Sequence, residues 1–161
     1  MLIEMTIKGL TVDPVTNMPI VILHDGQEKR VLPIWVGVFE ANAIALQIEN
    51  VHTPRPMTHD LLRNVISDLQ ATVERIVVCD VKDNTFFALI HLDTPAGHVA
   101  VDARPSDAIA LALRTRAPIL VEEHVLENAR VVDVTHAKVD GERLHQWLES
   151  LDPEDLGKYK M

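Results

Sequence analysis

Apolar residues recur at nearly every second position over residues 2–12 (Ile3, Met5, Ile7, Leu10), the pattern of a half-buried strand, which Asp13-Pro14 stops. The run 18–24 (MPIVILH) is continuously apolar and predicts a strand covered on both faces. Asp25-Gly26 marks a hairpin, and 30–36 (RVLPIWV) returns from it. Pro33 places that returning strand at an edge or marks a bulge.

After Gly37 the pattern changes. Residues 38–50 (VFEANAIALQIEN) contain no glycine or proline and predict a helix. Two prolines keep 51–57 out of helix. Thr58 then reads as the N-cap of a second helix over 58–70, with Asp60 in its first turn. Leu61, Leu62, Val65, Ile66 and Leu69 have the spacing of one buried stripe. An antiparallel meander follows over 73–81, 85–92 and 98–103, turning at Asp83-Asn84 and at 94–97. A third helix over about 105–116 has proline in its first turn and Arg114 and Arg116 in its last. A short strand at 119–121 and a helical turn at 122–127 complete the body. Beyond it, Leu144, Trp147, Leu148 and Leu151 share one face of a short amphipathic helix. Strands and helices come in runs instead of strict alternation. The expected fold is therefore α+β: mainly antiparallel sheet with three principal helices packed against it, plus a short C-terminal helix. The expected division is a domain over 1–127 and an acidic tail over 128–161.

Charge and composition narrow the partners. Of 161 residues, 47% are apolar and 24% charged, values of a folded globular chain. The net charge of −9 disfavours broad electrostatic attraction to nucleic acid or to an anionic membrane, so any phosphate binding must be local. Cys79 is the single cysteine, which excludes an intrachain disulfide and a cysteine-based zinc site, and its apolar neighbours predict a buried, inert thiol. No apolar run approaches the roughly 20 residues of a membrane span, and the start MLIEMTIKGL has no cationic n-region. A cytoplasmic protein with no membrane partner is expected. Bare strand edges and β-branched strands predict a homo-oligomer, most simply a dimer.

The chemistry concentrates at two helix starts. Arg55-Pro56-Met57-Thr58-His59-Asp60 and Arg104-Pro105-Ser106-Asp107 each place an arginine-proline pair ahead of a hydroxyl residue and an aspartate. Helix N-termini favour anions, and arginine matches phosphate with a two-pronged donor. His59 can act as general acid or base near neutral pH. Asp60, Asp102 and Asp107 are the residue types that hold a hard divalent cation or orient a histidine. A structural reading stands beside this one: Thr58 and Ser106 as caps, the aspartates as first-turn anions, the arginines as their ion-pair partners, and Glu40 as a capping or surface residue. His91 and His98 lie on adjacent meander strands and can face each other; two histidines do not make a metal site. Trp35 and Trp147 read as core or docking residues.

These same residues resemble a known family. Leu32-Pro33-Ile34-Trp35-Val36-Gly37 with Glu40-Ala41 and Ala43-Ile44-Ala45 is similar to the first signature of the bifunctional nuclease domain. Pro54-Arg55-Pro56-Met57-Thr58-His59-Asp60-Leu61 resembles the second. Thr85-Phe86-Phe87-Ala88 resembles a family strand, with Asn84 in the usual glycine place. Asp102-Ala103-Arg104-Pro105-Ser106-Asp107-Ala108-Ile109-Ala110-Leu111-Ala112 resembles the third signature. The resemblance runs over about 2–127. It implies an α+β domain with DNase and RNase activity and a site around the second and third signatures. By position it carries over Glu40, Arg55, His59, Asp60, Asp102, Arg104, Ser106 and Asp107.

Two functions are compatible with these residues. The first is a nuclease that hydrolyses DNA and RNA phosphodiesters with little sequence preference. In it Arg55, Arg104 and Ser106 hold phosphate, and His59, Asp60, Asp107 and Glu40 form the catalytic set. Asp60, Asp102 and Asp107 bind Mg²⁺ or Mn²⁺, or position His59. All five of His59, Asp60, Arg55, Arg104 and Asp107 should then converge on one cleft. The second is a non-catalytic oligomeric regulatory module that binds a small anionic ligand or a partner protein at the same helix ends.

Overall fold

The computed structural model describes residues 1–27 and 29–129. The tail expected to be separable, with its helix over 144–151, lies outside the described residues. Three strands open the chain: β1 (Leu2–Val12), β2 (Pro19–Asp25) and β3 (Val31–Trp35). Helices α1 (Val38–Ile48) and α2 (Thr58–Asp68) follow. The meander β4 (Thr72–Lys82), β5 (Thr85–Thr94) and β6 (Gly97–Ala103) leads into α3 (Pro105–Thr115), β7 (Ile119–Glu122) and the short α4 (Glu123–Asn128). Most boundaries agree with the sequence pattern to within two residues.

The strands form one seven-stranded sheet in the order β3-β2-β1-β7-β4-β5-β6. Neighbours are antiparallel except β4 and β7, which run parallel with Ile76 beside Ile119 and Val78 beside Val121. The class is thus α+β and mainly antiparallel. The β4–β5 connection explains Asn84. Asp83 and Asn84 have φ of 51° and 63°, the left-handed pair of a tight hairpin, and asparagine tolerates that conformation better than other non-glycine residues.

One face of the sheet carries the core. Met5, Leu10, Val21, Leu23, Leu32, Ile34, Ile76, Val78, Ile90 and Val121 meet the alanine-rich faces of α1 and α3 there. Ala41, Ala43 and Ala45 in α1, and Ala108, Ala110 and Ala112 in α3, keep those faces narrow and allow close packing of the helices. Cys79 is half-buried, not fully buried as expected; its Sγ donates to the Phe87 carbonyl at 3.6 Å, and burial pushes its thiol pKa up. Trp35 is also half-buried, and its indole N–H donates to Asp13 at 3.1 Å.

Helix α2 departs from the expected buried stripe. His59 is its buried residue, whereas Leu61, Leu62, Val65 and Leu69 are exposed and Ile66 is partly covered. The reason is its place in the layer: α2 packs on α3 and touches the sheet mainly at β4, so only a narrow side is covered. Among the described residues, no helix is long and apolar enough to cross a membrane.

Candidate functional site

Three helix starts meet at the site. Gly37 is the N-cap of α1, and Glu40 occupies the third helical position. Met57, not Thr58, caps α2, because the Asp60 carboxylate reaches back to the Met57 N–H at 3.0 Å and Thr58 is the first helical residue. Arg104 caps α3, followed by Pro105, whose fixed φ and missing N–H suit the first helical position. His59 and Ser106 hold the second position of their helices, and both are buried.

A continuous chain of polar contacts joins these starts. His59 Nε2 lies 2.8 Å from Asp107 Oδ1. Arg104 Nε donates to Asp107 Oδ2 at 2.9 Å, and Arg104 Nη2 donates to Glu40 Oε1 at 2.6 Å. Hydrogen bonds to Glu40, and then to Asp107, push the Arg104 pKa above its ordinary value. The Arg104 side chain nevertheless remains 66% exposed, so it is held in place and open to solvent. With Nε2–H donated to an ionised Asp107, a neutral His59 carries its free lone pair on Nδ1. Gly37 is part of this arrangement: a Cβ there would collide with the Glu40 carboxylate, which folds back over the helix start.

Asp60 goes elsewhere. Its Oδ1 accepts from Arg114 Nε at 2.6 Å, and the Arg114 side chain is only 1% exposed. Arg114 also donates to the Ala110 carbonyl at 2.9 Å and the Ala43 carbonyl at 3.1 Å, so one guanidinium ties α1, α2 and α3. Burial opposes the charge on Asp60, but the Met57 N–H and Arg114 outweigh it and hold the carboxyl below its ordinary value. Arg114 was legible only as a last-turn cation; a buried arginine has no signature of its own in a helix C-terminus. Arg55 and Asp102 are exposed. The structure thus brings together His59, Asp107, Arg104 and Glu40, keeps Ser106 beside them in sequence, and turns Asp60 away. Among the described residues no hydrogen bond or ion pair joins the Arg55 side chain to this cluster.

The expected cation set does not assemble. Among the described residues, no three histidine, cysteine, aspartate or glutamate side chains are grouped to hold a metal ion. Asp60 is committed to Arg114, Asp107 is shared between His59 and Arg104, and Asp102 is exposed on β6. These donors do not fit Mg²⁺ or Mn²⁺ as arranged. Two cavities, of about 550 and 320 Å³, lie elsewhere: the first beside Thr6, Leu113 and Arg116, the second beside Asp13, Trp35 and Phe86.

The family model of the bifunctional nuclease domain matches residues 21–133, a span that includes every residue of the cluster. The chain belongs to the bifunctional nuclease domain family. Full-length similarity extends to an uncharacterized protein of Mycobacterium tuberculosis, 37% identical over 162 residues, covering 95% of this chain and 97% of the relative. Bifunctional nuclease 2 of Oryza sativa subsp. japonica is 26% identical over 137 residues, covering 82% of this chain and 42% of that protein. Bifunctional nuclease 2 of Arabidopsis thaliana is 27% identical over 107 residues, covering 63% of this chain and 32% of that protein. The bifunctional nuclease domain thus spans both edges of the site, from Gly37 and Glu40 to Asp107.

Proposed function

We propose that the chain is a nuclease that hydrolyses DNA and RNA phosphodiester bonds at the His59–Asp107–Arg104–Glu40 cluster, with little sequence preference. The observation that carries the reading is the 2.8 Å contact between His59 and Asp107, with Arg104 held open beside them. Asp107 fixes the tautomer and direction of the imidazole, as a carboxylate does for a histidine base. Arg104 meets a phosphate oxygen. Water attacks phosphorus as His59 Nδ1 takes its proton; the P–O ester bond breaks, and the imidazolium returns the proton to the departing oxygen. Ser106 and the α3 N-terminus face the same anion, and Arg55 adds a distant phosphate contact. Binding through so few cations on a chain of charge −9 is weak, and its salt slope is shallow, about one for each phosphate an arginine neutralises.

One observation favours the regulatory reading. Glu40 and Asp107 together outweigh the charge of Arg104, so the cluster also suits a pin between helices in a non-catalytic module for an anionic ligand or partner protein. The deciding experiment incubates the protein with supercoiled plasmid and with single-stranded RNA, with and without EDTA. His59→Ala and Arg104→Ala proteins are purified identically. Cleavage by the wild type that both variants lose supports the nuclease. Equal cleavage by all three preparations marks a contaminating enzyme and removes the nuclease reading.

A further inference from the structure

A cavity of about 320 Å³ lies between the β3 edge of the sheet and the β4–β5 turn, which the twist of the sheet brings together. Trp35, Phe86 and Pro33 belong to its apolar wall; Asp13, from the turn after β1, and Asn84 belong to its polar side. A mostly apolar hollow of this size with a few fixed polar groups is the ordinary make-up of a small-molecule site.

The polar side is held in place without a ligand. Asp13 Oδ1 accepts the Val15 N–H at 2.9 Å, and Oδ2 accepts the Trp35 indole N–H at 3.1 Å. The Asp13 N–H donates to the Met18 carbonyl at 2.8 Å, and the Asn17 N–H donates to the Asp13 carbonyl at 2.8 Å, so the turn that carries the carboxylate is closed on itself. The Val15 N–H, and then the Trp35 indole, hold the Asp13 carboxyl below its ordinary pKa, and it is charged at neutral pH. What this carboxylate lacks is a counter-ion. Among the described residues no lysine, arginine or histidine pairs with Asp13, and none lines the cavity. Lys82, on the neighbouring hairpin, pairs with Asp80 at 3.5 Å instead. Asp60 and Asp107, by contrast, each have an arginine.

We propose that this cavity binds a small organic cation with a quaternary ammonium head. The unpaired Asp13 supplies the opposite charge, and the rings of Trp35 and Phe86 supply the π-systems that attract a cation. The preference for a quaternary head follows from the hydrogen bonds. Both Asp13 oxygens already accept an N–H, and the wall has no second carboxylate. A primary ammonium, with three donors to satisfy, would give up water that these acceptors cannot replace. A quaternary head brings no donor, and its methyl groups suit the apolar wall. The net charge of −9 adds a field that draws cations and repels anions.

The test measures binding, not cleavage, so its outcome is separate from that of the nuclease reading. Trp147→Phe leaves Trp35 as the sole tryptophan of the full chain. Choline should change the fluorescence of that protein saturably, with a Kd of about one millimolar or tighter, and titration calorimetry should give the same value. Ethanolamine has the same hydroxyethyl chain but three N–H donors; neopentylcarbinol has the same shape but no charge. Each should bind at least about tenfold more weakly than choline. Asp13→Asn keeps an oxygen for the Val15 N–H and removes the charge. It should weaken choline at least about tenfold while unfolding remains cooperative. Phe86→Leu leaves the turn untouched, removes one ring and should weaken choline at least about threefold. The proposal is overturned if choline gives no saturable change by either method, or if neither variant weakens it. It is equally overturned if neopentylcarbinol or ethanolamine binds as tightly as choline, or if an uncharged nucleoside such as adenosine binds more tightly, which would make the cavity a base pocket.

Discussion

At the start of α3, Arg104 is itself the N-cap, and its side chain folds back onto Asp107, the third helical residue. At the start of α2, Arg55 stands two residues ahead of the cap Met57, and among the described residues no hydrogen bond or ion pair joins it to Asp60, which also holds the third helical position. Both segments contain an arginine, a proline, a hydroxyl residue and an aspartate. The position of the arginine relative to the cap decides what the aspartate does. In α3 the aspartate has its own arginine and spare oxygen for His59. In α2 the aspartate carboxylate is bonded instead to the buried Arg114, with Arg63 acting on it only through its charge. One helix start is therefore built for exposure and the other for burial.

This contrast is sharpest in activity. His59→Ala removes the proposed base and should lower cleavage by about 10²- to 10⁴-fold, measured as single-turnover rates on plasmid and RNA. Stability should show the reverse ranking. Asp60→Ala leaves Arg114 buried and unpaired and should cost about 3–5 kcal/mol in guanidinium unfolding. Arg104→Ala removes pairs made by a largely exposed side chain and should cost at most about 1 kcal/mol. Equal costs for the two would dissolve the distinction between the helix starts.

Acid should act on the α2 start. The Asp60 carboxyl is held below its unfolded value of 3.8, so below that pH the unfolded chain takes up the proton first. Its contribution is whole above pH 3.8 and is lost as the pH falls through the folded value. Thermal unfolding between pH 5 and 2 should therefore be flatter in Asp60→Asn than in the wild type. The smallest effect belongs to Arg55→Ala. Stability should stay within about 0.5 kcal/mol of wild type, while the salt slope of nucleic-acid binding should fall by about one if Arg55 meets a phosphate.

The strands and helices were legible because their punctuation is local. Asp13-Pro14, Asp25-Gly26, Gly37, Asp83-Asn84 and Pro105 each stop or start an element through backbone chemistry that needs no tertiary partner. The placement of α2 was not legible, because its apolar residues fit a buried stripe whether the helix lies on the sheet or on α3. Within the site, residue types located the helix starts, but pairing depended on reach. Nothing in the order of residues tells Asp60 to choose Arg114, which lies 54 positions away, over Arg55. The same holds for the aspartates offered as cation ligands: the order of residues does not tell that Asp60 is bonded to Arg114 and Asp107 to Arg104.

The place of β7 governs when this fold can exist. Strands β1 and β4 share no ladder and are joined only through β7, which comes from residues 119–122. During synthesis from the N-terminus, the β1–β3 hairpins and the β4–β6 meander can each form early from local contacts. They remain two separate sheets until those four late residues leave the ribosome. Contacts of such long sequence separation form slowly, and until they do both flanking strands present open edges. A chain stalled before Ile119 is consequently two half-sheets, each with an exposed edge where β7 belongs.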